Sequence, residues 1–504
     1  MLARIVTFAI DGVRARRVWV EADIRTGLPA FTIVGLADKA VREARERVRA
    51  ALVNSGYEFP QKRITVNLAP ASLRKIGPGF DLPLAVALLV ASGQVDGDAV
   101  DRCALVGELS LTGEVRSVSG VLACAEAARR HDLTRLVVPR GRVREAALVP
   151  ALEVLAVDAL TELVDVLAGR AEPAALPVDD EVDEAADPLP DLVDVRGHNA
   201  LVPALEVAAA GGHNLLFYGP PGTGKTMLAR RMPSILPPMT ADEALDVTRI
   251  QSIAGLHSGG LIRQRPFRAP HHTISASGLV GGGSQPTPGE ATLAHHGVLF
   301  LDELSEFTRP SLEALRQPLE DGHVLIVRGQ RALQFPTQCT LVAASNPCPC
   351  GREEHACRCS AADLARHQRR LSGPLLDRID LLVPVRRPAA AALRDEAGPA
   401  SVDVRKRVVA ARERQSRRLA PHGVACNARM TARQLRELTN ATPTAMRLLY
   451  DLHDRHALSA RGHARVLRVA RTMADLDGAD AIAPEHIHAA AGLRLEAPTT
   501  ALAA

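Results

Sequence analysis

Gly219-Pro-Pro-Gly-Thr-Gly-Lys-Thr226 is the stretch on which the fold of this 504-residue chain turns. Its eight residues fit G-x-x-x-x-G-K-[ST] in full. In such a loop, glycines let backbone N–H groups wrap phosphates where a helix begins. The flanks agree: the apolar run Asn214 to Tyr218 predicts a buried strand before the loop, and Met227 to Met232 is compatible with a helix after it. Lys225 also stands against the composition, being one of five lysines (39, 62, 75, 225 and 406) among 61 basic residues. A chance Gly-rich turn explains neither the flanks nor that lysine. Gly219, Pro220, Pro221, Gly222, Thr223, Gly224, Lys225 and Thr226 are therefore expected to hold the phosphates of ATP. Lys225 would neutralise the β- and γ-phosphates, and Thr226 would ligate Mg²⁺.

Downstream, Gly297-Val-Leu-Phe-Leu-Asp-Glu303 reads as a second buried strand that delivers two carboxylates at its C-terminal end. Asp302 is expected to hold Mg²⁺ through water, and Glu303 to polarise the attacking water as general base. Alone, the run could be an ordinary core strand with exposed acids at its tip; the phosphate loop upstream decides against that. A third strand, Thr340 to Ala344, ends at Asn346, whose amide would sense the γ-phosphate and the water. Asn after a strand is often only a turn residue, so the order along the chain carries the assignment. Ser372-Gly-Pro-Leu-Leu-Asp-Arg-Ile-Asp380 offers Arg378 as an arginine finger that stabilises γ-phosphoryl charge in a neighbouring subunit. A local salt bridge to Asp377 or Asp380 is the competing reading. Ser459 to Arg465 offers Arg461 as the second sensing arginine, ahead of Arg465.

The rest of the chain organises around this α/β core of parallel strands. Residues 171–195 carry nine acids and no base, are rich in Ala and Pro, and lack periodicity. We read 169–190 as a flexible acidic linker. It separates a domain at 1–168 from a nucleotide-binding core at 191–388, and a wholly helical lid follows at 400–496. In the first domain, Ile5 to Ile10, Val18 to Ile24 and Ile64 to Leu68 read as strands, and Lys39 to Asn54 and Leu82 to Ser92 as helices. Without residues 171–195, the 61 basic and 48 remaining acidic residues leave a net charge of +13, compatible with nucleic acid. The seven basic residues of 405–418 are more simply a solvated helix face. With no apolar run of 18 residues and no signal-peptide pattern, a cytoplasmic protein with no membrane partner is expected.

Taken together, these motifs resemble those of one family, the YifB/ComM magnesium chelatase-like AAA+ ATPases. The resemblance runs through Ala209-Ala-Gly-Gly-His-Asn214, Pro266-Phe-Arg-Ala-Pro-His-His-Thr273, Pro288-Gly-Glu290, Asn346-Pro-Cys-Pro-Cys-Gly351, Ser372 to Asp380 and Leu458 to Thr472. It implies a homo-hexameric ring with two insertions in the ATPase core. Ala254 to Gly289, rich in Gly, Pro and His, has room for one. His323 to Val327 and Arg331 to Phe335 would form the other, a hairpin presenting Arg328 and Arg331 to a nucleic-acid backbone. The first domain resembles the proteolytic domain of Lon, an α+β fold of the ribosomal S5 domain 2-like kind, through Gly107-Glu-Leu-Ser-Leu-Thr-Gly113. However, Gly79 stands where Lon has its nucleophilic serine, and Leu122 falls near the lysine position. A Lon-like fold without peptidase activity is expected.

Four of the eight cysteines, Cys348, Cys350, Cys357 and Cys359, form C-x-C-x₆-C-x-C. Four thiolates in one short loop can wrap a structural Zn²⁺, with His355 as an alternate ligand; reduced thiols or oxidation-prone pairs are the other readings. For function, the resemblance implies a DNA helicase or translocase that drives branch migration on single-stranded or branched DNA, in recombination or natural transformation. The alternatives are a chelatase-type motor remodelling a protein partner for metal insertion, and an ATP-dependent protease, which Gly79 and Leu122 oppose.

Overall fold

The computed structural model describes residues 2–174, 188–257, 259–283, 286–328, 331–352, 357–370, 373–389, 392, 397–456 and 458–495. They form two compact units, Met1–Ala185 with Ala241–Ile262, and Ala186–Thr240 with Arg263–Ala504. The protein is a multi-domain α/β chain with a parallel-sheet core and a helical C-terminal part.

The first unit is built on a seven-stranded mixed sheet. In order its strands are Ala30–Val34, Arg63–Ala69, Arg14–Arg25, Leu2–Asp11, Cys103–Leu105, Arg135–Pro139 and Glu153–Val157. The period-2 pattern of Leu2–Asp11 sends Ala3, Ile5 and Ala9 into one core and Val6 and Phe8 into another. Both faces of the sheet are thus covered. Helices Lys39–Asn54 and Asp81–Ala91 supply the first core. The former begins where the Asp38 carboxylate accepts from the Val41 N–H at 2.8 Å, and it buries Val41, Ala44, Val48, Ala51 and Leu52. Helix Val121–Arg130 supplies the second core.

The second unit carries a five-stranded sheet in the order Phe267–Arg268, Val298–Leu301, Thr340–Ser345, Leu215–Tyr218 and Leu381–Pro384, parallel throughout. Every residue of Val298–Leu301, Thr340–Ser345 and Leu215–Tyr218 is buried. That is why these strands read as unbroken apolar runs rather than as alternations. Helices Ser401–Leu419, Ala432–Leu438, Pro443–Arg455, Ala460–Leu476 and Pro484–Leu495 complete the unit. The basic run of the first of these helices is in part the solvated face expected from its charge, with Lys406, Arg407, Arg414 and Arg417 exposed, but several of its arginines also bind other elements. Arg407 forks onto Glu206 at 2.6 and 2.8 Å, Arg405 donates to the Ser234 carbonyl, and Arg418 pairs with the buried Asp475 at 2.7 Å. Most of its charge is spent on holding the fold.

Two antiparallel strand pairs lie in the stretches with room for insertions. Gly281–Gly282 and Thr287–Pro288 form a short antiparallel pair inside Ala254 to Gly289, the stretch with room for the first insertion. His323–Arg328 and Arg331–Pro336 form the second hairpin, with Arg328 opposite Arg331. A further segment, Ala241–Ile262, lies within 191–388 in sequence but packs in the first unit. Its helix, Ala241–Ile253, buries Ala244, Val247 and Ile250, a spacing of three that a scan for strands and loops passes over.

Candidate functional site

Strand order builds the site. Leu215–Tyr218, Thr340–Ser345 and Val298–Leu301 are adjacent and parallel, so their carboxyl ends open at one edge of the sheet. The phosphate-type loop follows the first, Asn346 the second, and Asp302 with Glu303 the third. Open α/β sheets bind ligands at such edges. Here a cavity of ≈ 370 Å³ is lined by Pro221 through Met227, Asp302, Glu303 and Ala344 through Asn346.

The loop needs its glycines. Gly222 and Gly224 have φ of +74° and +91°, in the left-handed region that side chains disfavour. A Cβ on Gly219 would sit 2.0 Å from the Val385 carbonyl oxygen. Lys225 starts the helix Lys225–Arg230 and folds back, its ammonium donating to the Gly219 and Pro220 carbonyls at 2.7 Å each and to Asn346 Oδ1 at 3.2 Å. Burial lowers its pKa, and the charges of Asp302 and Glu303 pull in the opposite direction. Thr226 donates its hydroxyl to Asp302 Oδ2 at 2.7 Å, while Asp302 Oδ1 accepts from the Glu303 N–H at 2.9 Å. Threonine hydroxyl and carboxylate are oxygen donors of the kind a hard divalent cation such as Mg²⁺ takes.

Glu303 is held in a left-handed conformation, φ +51° and ψ +51°. Such backbone in a non-glycine residue costs on the order of 1–3 kcal/mol and recurs at functional sites. His272 Nδ1 lies 3.6 Å from Glu303 Oε2. In the sequence, His272 stood out only as part of the run Pro266 to Thr273. Two other histidines carried no sequence signal. His367 donates Nε2 to the Asn346 carbonyl at 3.0 Å, fixing the loop behind that amide. His198, buried and with its pKa lowered by desolvation, lies against Gly224.

Lys225, Thr226, Asp302, Glu303 and Asn346 are brought together; Arg378 and Arg461 are not among the residues lining their cavity. Arg378 forms a close ion pair with Glu320, a partner from a distant part of the chain that its local sequence did not indicate. Arg461 approaches the same Glu320 at 3.9 Å and Asp377 at 4.0 Å. The Arg378 guanidinium, followed by Arg461, holds the Glu320 carboxyl below the usual range. Arg465 instead pairs with Asp380 at 3.6 Å. Burial opposes ionisation of Asp380, but His213 and the arginines around it keep its pKa below normal. Arg328 and Arg331 are placed by backbone pairing; their side chains lie outside the described residues.

The Sγ atoms of Cys348, Cys350, Cys357 and Cys359 all lie within 4.8 Å of one another. Cys348 is 3.3 Å from Cys350 and 3.7 Å from Cys357, and Cys350 is 3.8 Å from Cys357. Four sulfurs at ~2.3 Å from a shared tetrahedral ion would stand ~3.8 Å apart, so the set fits Zn²⁺. Backbone N–H groups, that of Arg358 first, lower the Cys350 thiol to about 6, while burial raises Cys348 to about 12. The loop abuts the phosphate-type loop: a Cβ on Gly351 would be 2.9 Å from Pro221 Cδ. His355 falls outside the described residues.

In the first unit, Gly79 lies in the turn Pro78–Phe80 and Leu122 is fully buried in Val121–Arg130. Neither position supplies a nucleophile or a base.

The family described as magnesium chelatase, subunit ChlI, matches residues 191–393. The descriptions subunit ChlI of Mg-chelatase and magnesium chelatase, subunit ChlI C-terminal, match 20–142 and 398–494. An uncharacterised protein of Mycobacterium tuberculosis is 43% identical over 498 residues, 98% of each chain. YifB of Escherichia coli is 42% identical over 497 residues, and competence protein ComM of Haemophilus influenzae 41% over 503; each match spans 98% of this chain and 97% of the relative. Lon protease of Mycolicibacterium smegmatis is 27% identical over 176 residues, 33% of this chain and 22% of Lon. With likeness along its whole length to YifB and ComM, the chain belongs to the YifB/ComM family of magnesium chelatase-like AAA+ ATPases.

Proposed function

We propose that the protein is an ATP-driven, homo-hexameric ring motor that moves or unwinds single-stranded or branched DNA, as in branch migration during recombination or natural transformation. The observation that carries the motor reading is the convergence of Lys225, Thr226, Asp302, Glu303 and Asn346 on one cavity. In this reading Lys225 binds the β- and γ-phosphates, and Thr226 and Asp302 hold Mg²⁺, which supplies charge neutralisation to the transferring phosphoryl group. Glu303 orients and deprotonates water, and Asn346 positions it. Arg378 pairs with Glu320 away from that cavity, which supports its acting on the nucleotide of a neighbouring subunit, and Arg461, which approaches the same carboxylate, would be the second sensing arginine. The DNA substrate rests on likeness to a protein named for competence. The cysteine loop would hold one structural Zn²⁺ and stiffen the chain beside the phosphate loop.

Glu303→Gln should bind ATP nearly as the parent does and lose turnover by about 10²- to 10⁴-fold, the usual worth of a general base. DNA-stimulated ATPase activity measured with single strands, duplexes and branched junctions tests the substrate; equal rates with and without every DNA would overturn it. The chelatase family match favours a second reading, a motor that remodels a protein partner for metal insertion. An ATPase indifferent to DNA would turn attention to it.

A further inference from the structure

The first unit contains 22 residues that the chain reaches only by leaving the ATPase core. Ala186–Thr240 and Arg263–Ala504 belong to the second unit, and the intervening Ala241–Ile262 belongs to the first. The excursion leaves after the helices that follow Lys225 and returns just before strand Phe267–Arg268. Both its ends are therefore tied covalently to the nucleotide-binding sheet.

Within the first unit the segment is gripped along its length. Arg249 forks onto Glu126 of helix Val121–Arg130 at 2.8 and 2.9 Å. The Gly120 N–H, at the start of that helix, donates to the Ser252 carbonyl at 3.2 Å and to its hydroxyl at 3.1 Å. Ser252 in turn bonds Glu145, whose carboxylate is fully buried and accepts from the Leu122 N–H at 2.7 Å. Arg142 pairs with Glu145 at 3.3 Å and donates to the His257 carbonyl at 2.6 Å. Ile253 packs on the core formed by Val121, Ala123 and their neighbours. A buried carboxylate is tolerable only when its oxygens are satisfied, and here a serine of the excursion is one of the donors.

The socket has a second property. It takes in residues 118–122, which run from a neighbour of Gly79 to Leu122, the two positions that the resemblance to Lon sets against its serine and lysine. Val118 packs 3.6 Å from where a Cβ on Gly79 would be, Ser119 and Gly120 lie against Gly255 and Ile253, and Leu122 bonds Glu145.

We infer that Ala241–Ile262 is a strap by which the motor holds its own N-terminal domain, seated where a peptidase site would have been, and that it carries movements of the nucleotide-binding sheet into that domain. The acidic stretch 171–190 is then not the only tether. The transmission half rests on the ATP-driven reading; the docking half does not.

The test is made in the full chain. A protease recognition sequence is inserted between Val182 and Asp183 and cut after purification, without nucleotide. The N-terminal fragment is expected to co-elute with the motor on gel filtration. Arg249→Glu should release it, and Arg249→Glu with Glu126→Arg should restore co-elution. This rescue separates lost docking from misfolding. Dissociation of the cut parent protein, or full retention by Arg249→Glu, overturns the strap. Transmission is read by amide hydrogen exchange in Val121–Arg130 with and without a non-hydrolysable ATP analogue. A change in the parent that is lost in Arg249→Glu supports it. If analogue binding is measured directly and exchange does not move, transmission is overturned and docking stands. If no analogue binds, the ATP reading itself has failed.

Discussion

Replacing Lys225 with alanine tests the site where its electrostatics are simplest. Lys225 is 7% exposed, and its ammonium spends its three donors on the Gly219 and Pro220 carbonyls and on Asn346. Two unit charges ~4 Å apart at an effective dielectric constant of ~20 attract by about 4 kcal/mol. Two effects reduce that figure for a bound phosphate. The phosphate must displace at least one existing bond of the ammonium, and Asp302 and Glu303 already compensate part of its charge. A net loss of ~2–4 kcal/mol is expected, or roughly 30- to 700-fold in ATP affinity. Folding should change little. The carbonyls freed by the substitution face a cavity that water can enter, so the cost stays near ~1 kcal/mol. Titration with a fluorescent ATP analogue, together with a thermal melt of the same samples, measures both quantities. An affinity loss under about threefold with an unchanged melt would refute phosphate binding by Lys225.

Other predictions follow from the same geometry. Mixing Arg378→Ala with Lys225→Ala subunits should restore part of the ATPase activity lost in each, because some interfaces regain both an intact loop and an intact finger; inactive, well-mixed rings would refute trans action. Protein purified without chelators should carry about one zinc per chain, and Cys350→Ser should lower that content and the melting temperature together; metal-free native protein would exclude the site. Replacing Arg328 and Arg331 by alanine should leave ATP binding intact, weaken DNA binding and flatten its dependence on salt; unchanged DNA affinity would remove the hairpin from the DNA path.

What was legible in the sequence divides by physics. Residues dictated by local backbone chemistry could be read directly. Gly222 and Gly224 are needed for left-handed φ, and Val298–Leu301 is apolar because it is buried on both faces. Helix Lys39–Asn54 agreed to the residue, because its Asp38 cap and its apolar stripe are both local. Contacts between distant residues could not be read. Glu320 meets Arg378 across 58 positions, and His272 meets Glu303 across 31, with no periodicity linking either pair. The basic run 405–418 was half legible for the same reason: Lys406 and Arg417 are exposed as a charge run suggests, but the partners Glu206 and Asp475 come from distant parts of the chain.

The split between the two groups of polar residues bears on how such a motor would be regulated. Lys225 is bonded to Asn346 and Thr226 to Asp302 around one cavity, so in the proposed reading the binding half of the site is already assembled and nucleotide need only exchange individual bonds there. The arginine half is different. Arg378 is neutralised by Glu320 within its own chain, and Arg461 leans on the same carboxylate. An arginine that serves a neighbour must first give up that partner, and the energy to do so comes only from a γ-phosphate presented across an interface. ATP would then do two things in sequence, filling a preformed cavity and drawing the finger away from Glu320. Binding would belong to the single chain and turnover to the ring. On that account Glu320→Gln should raise ATPase activity at protein concentrations where rings are scarce, by freeing the finger, and leave ATP affinity unchanged. Lowered activity at every concentration would mean that Glu320 orients Arg378 for its neighbour instead of restraining it.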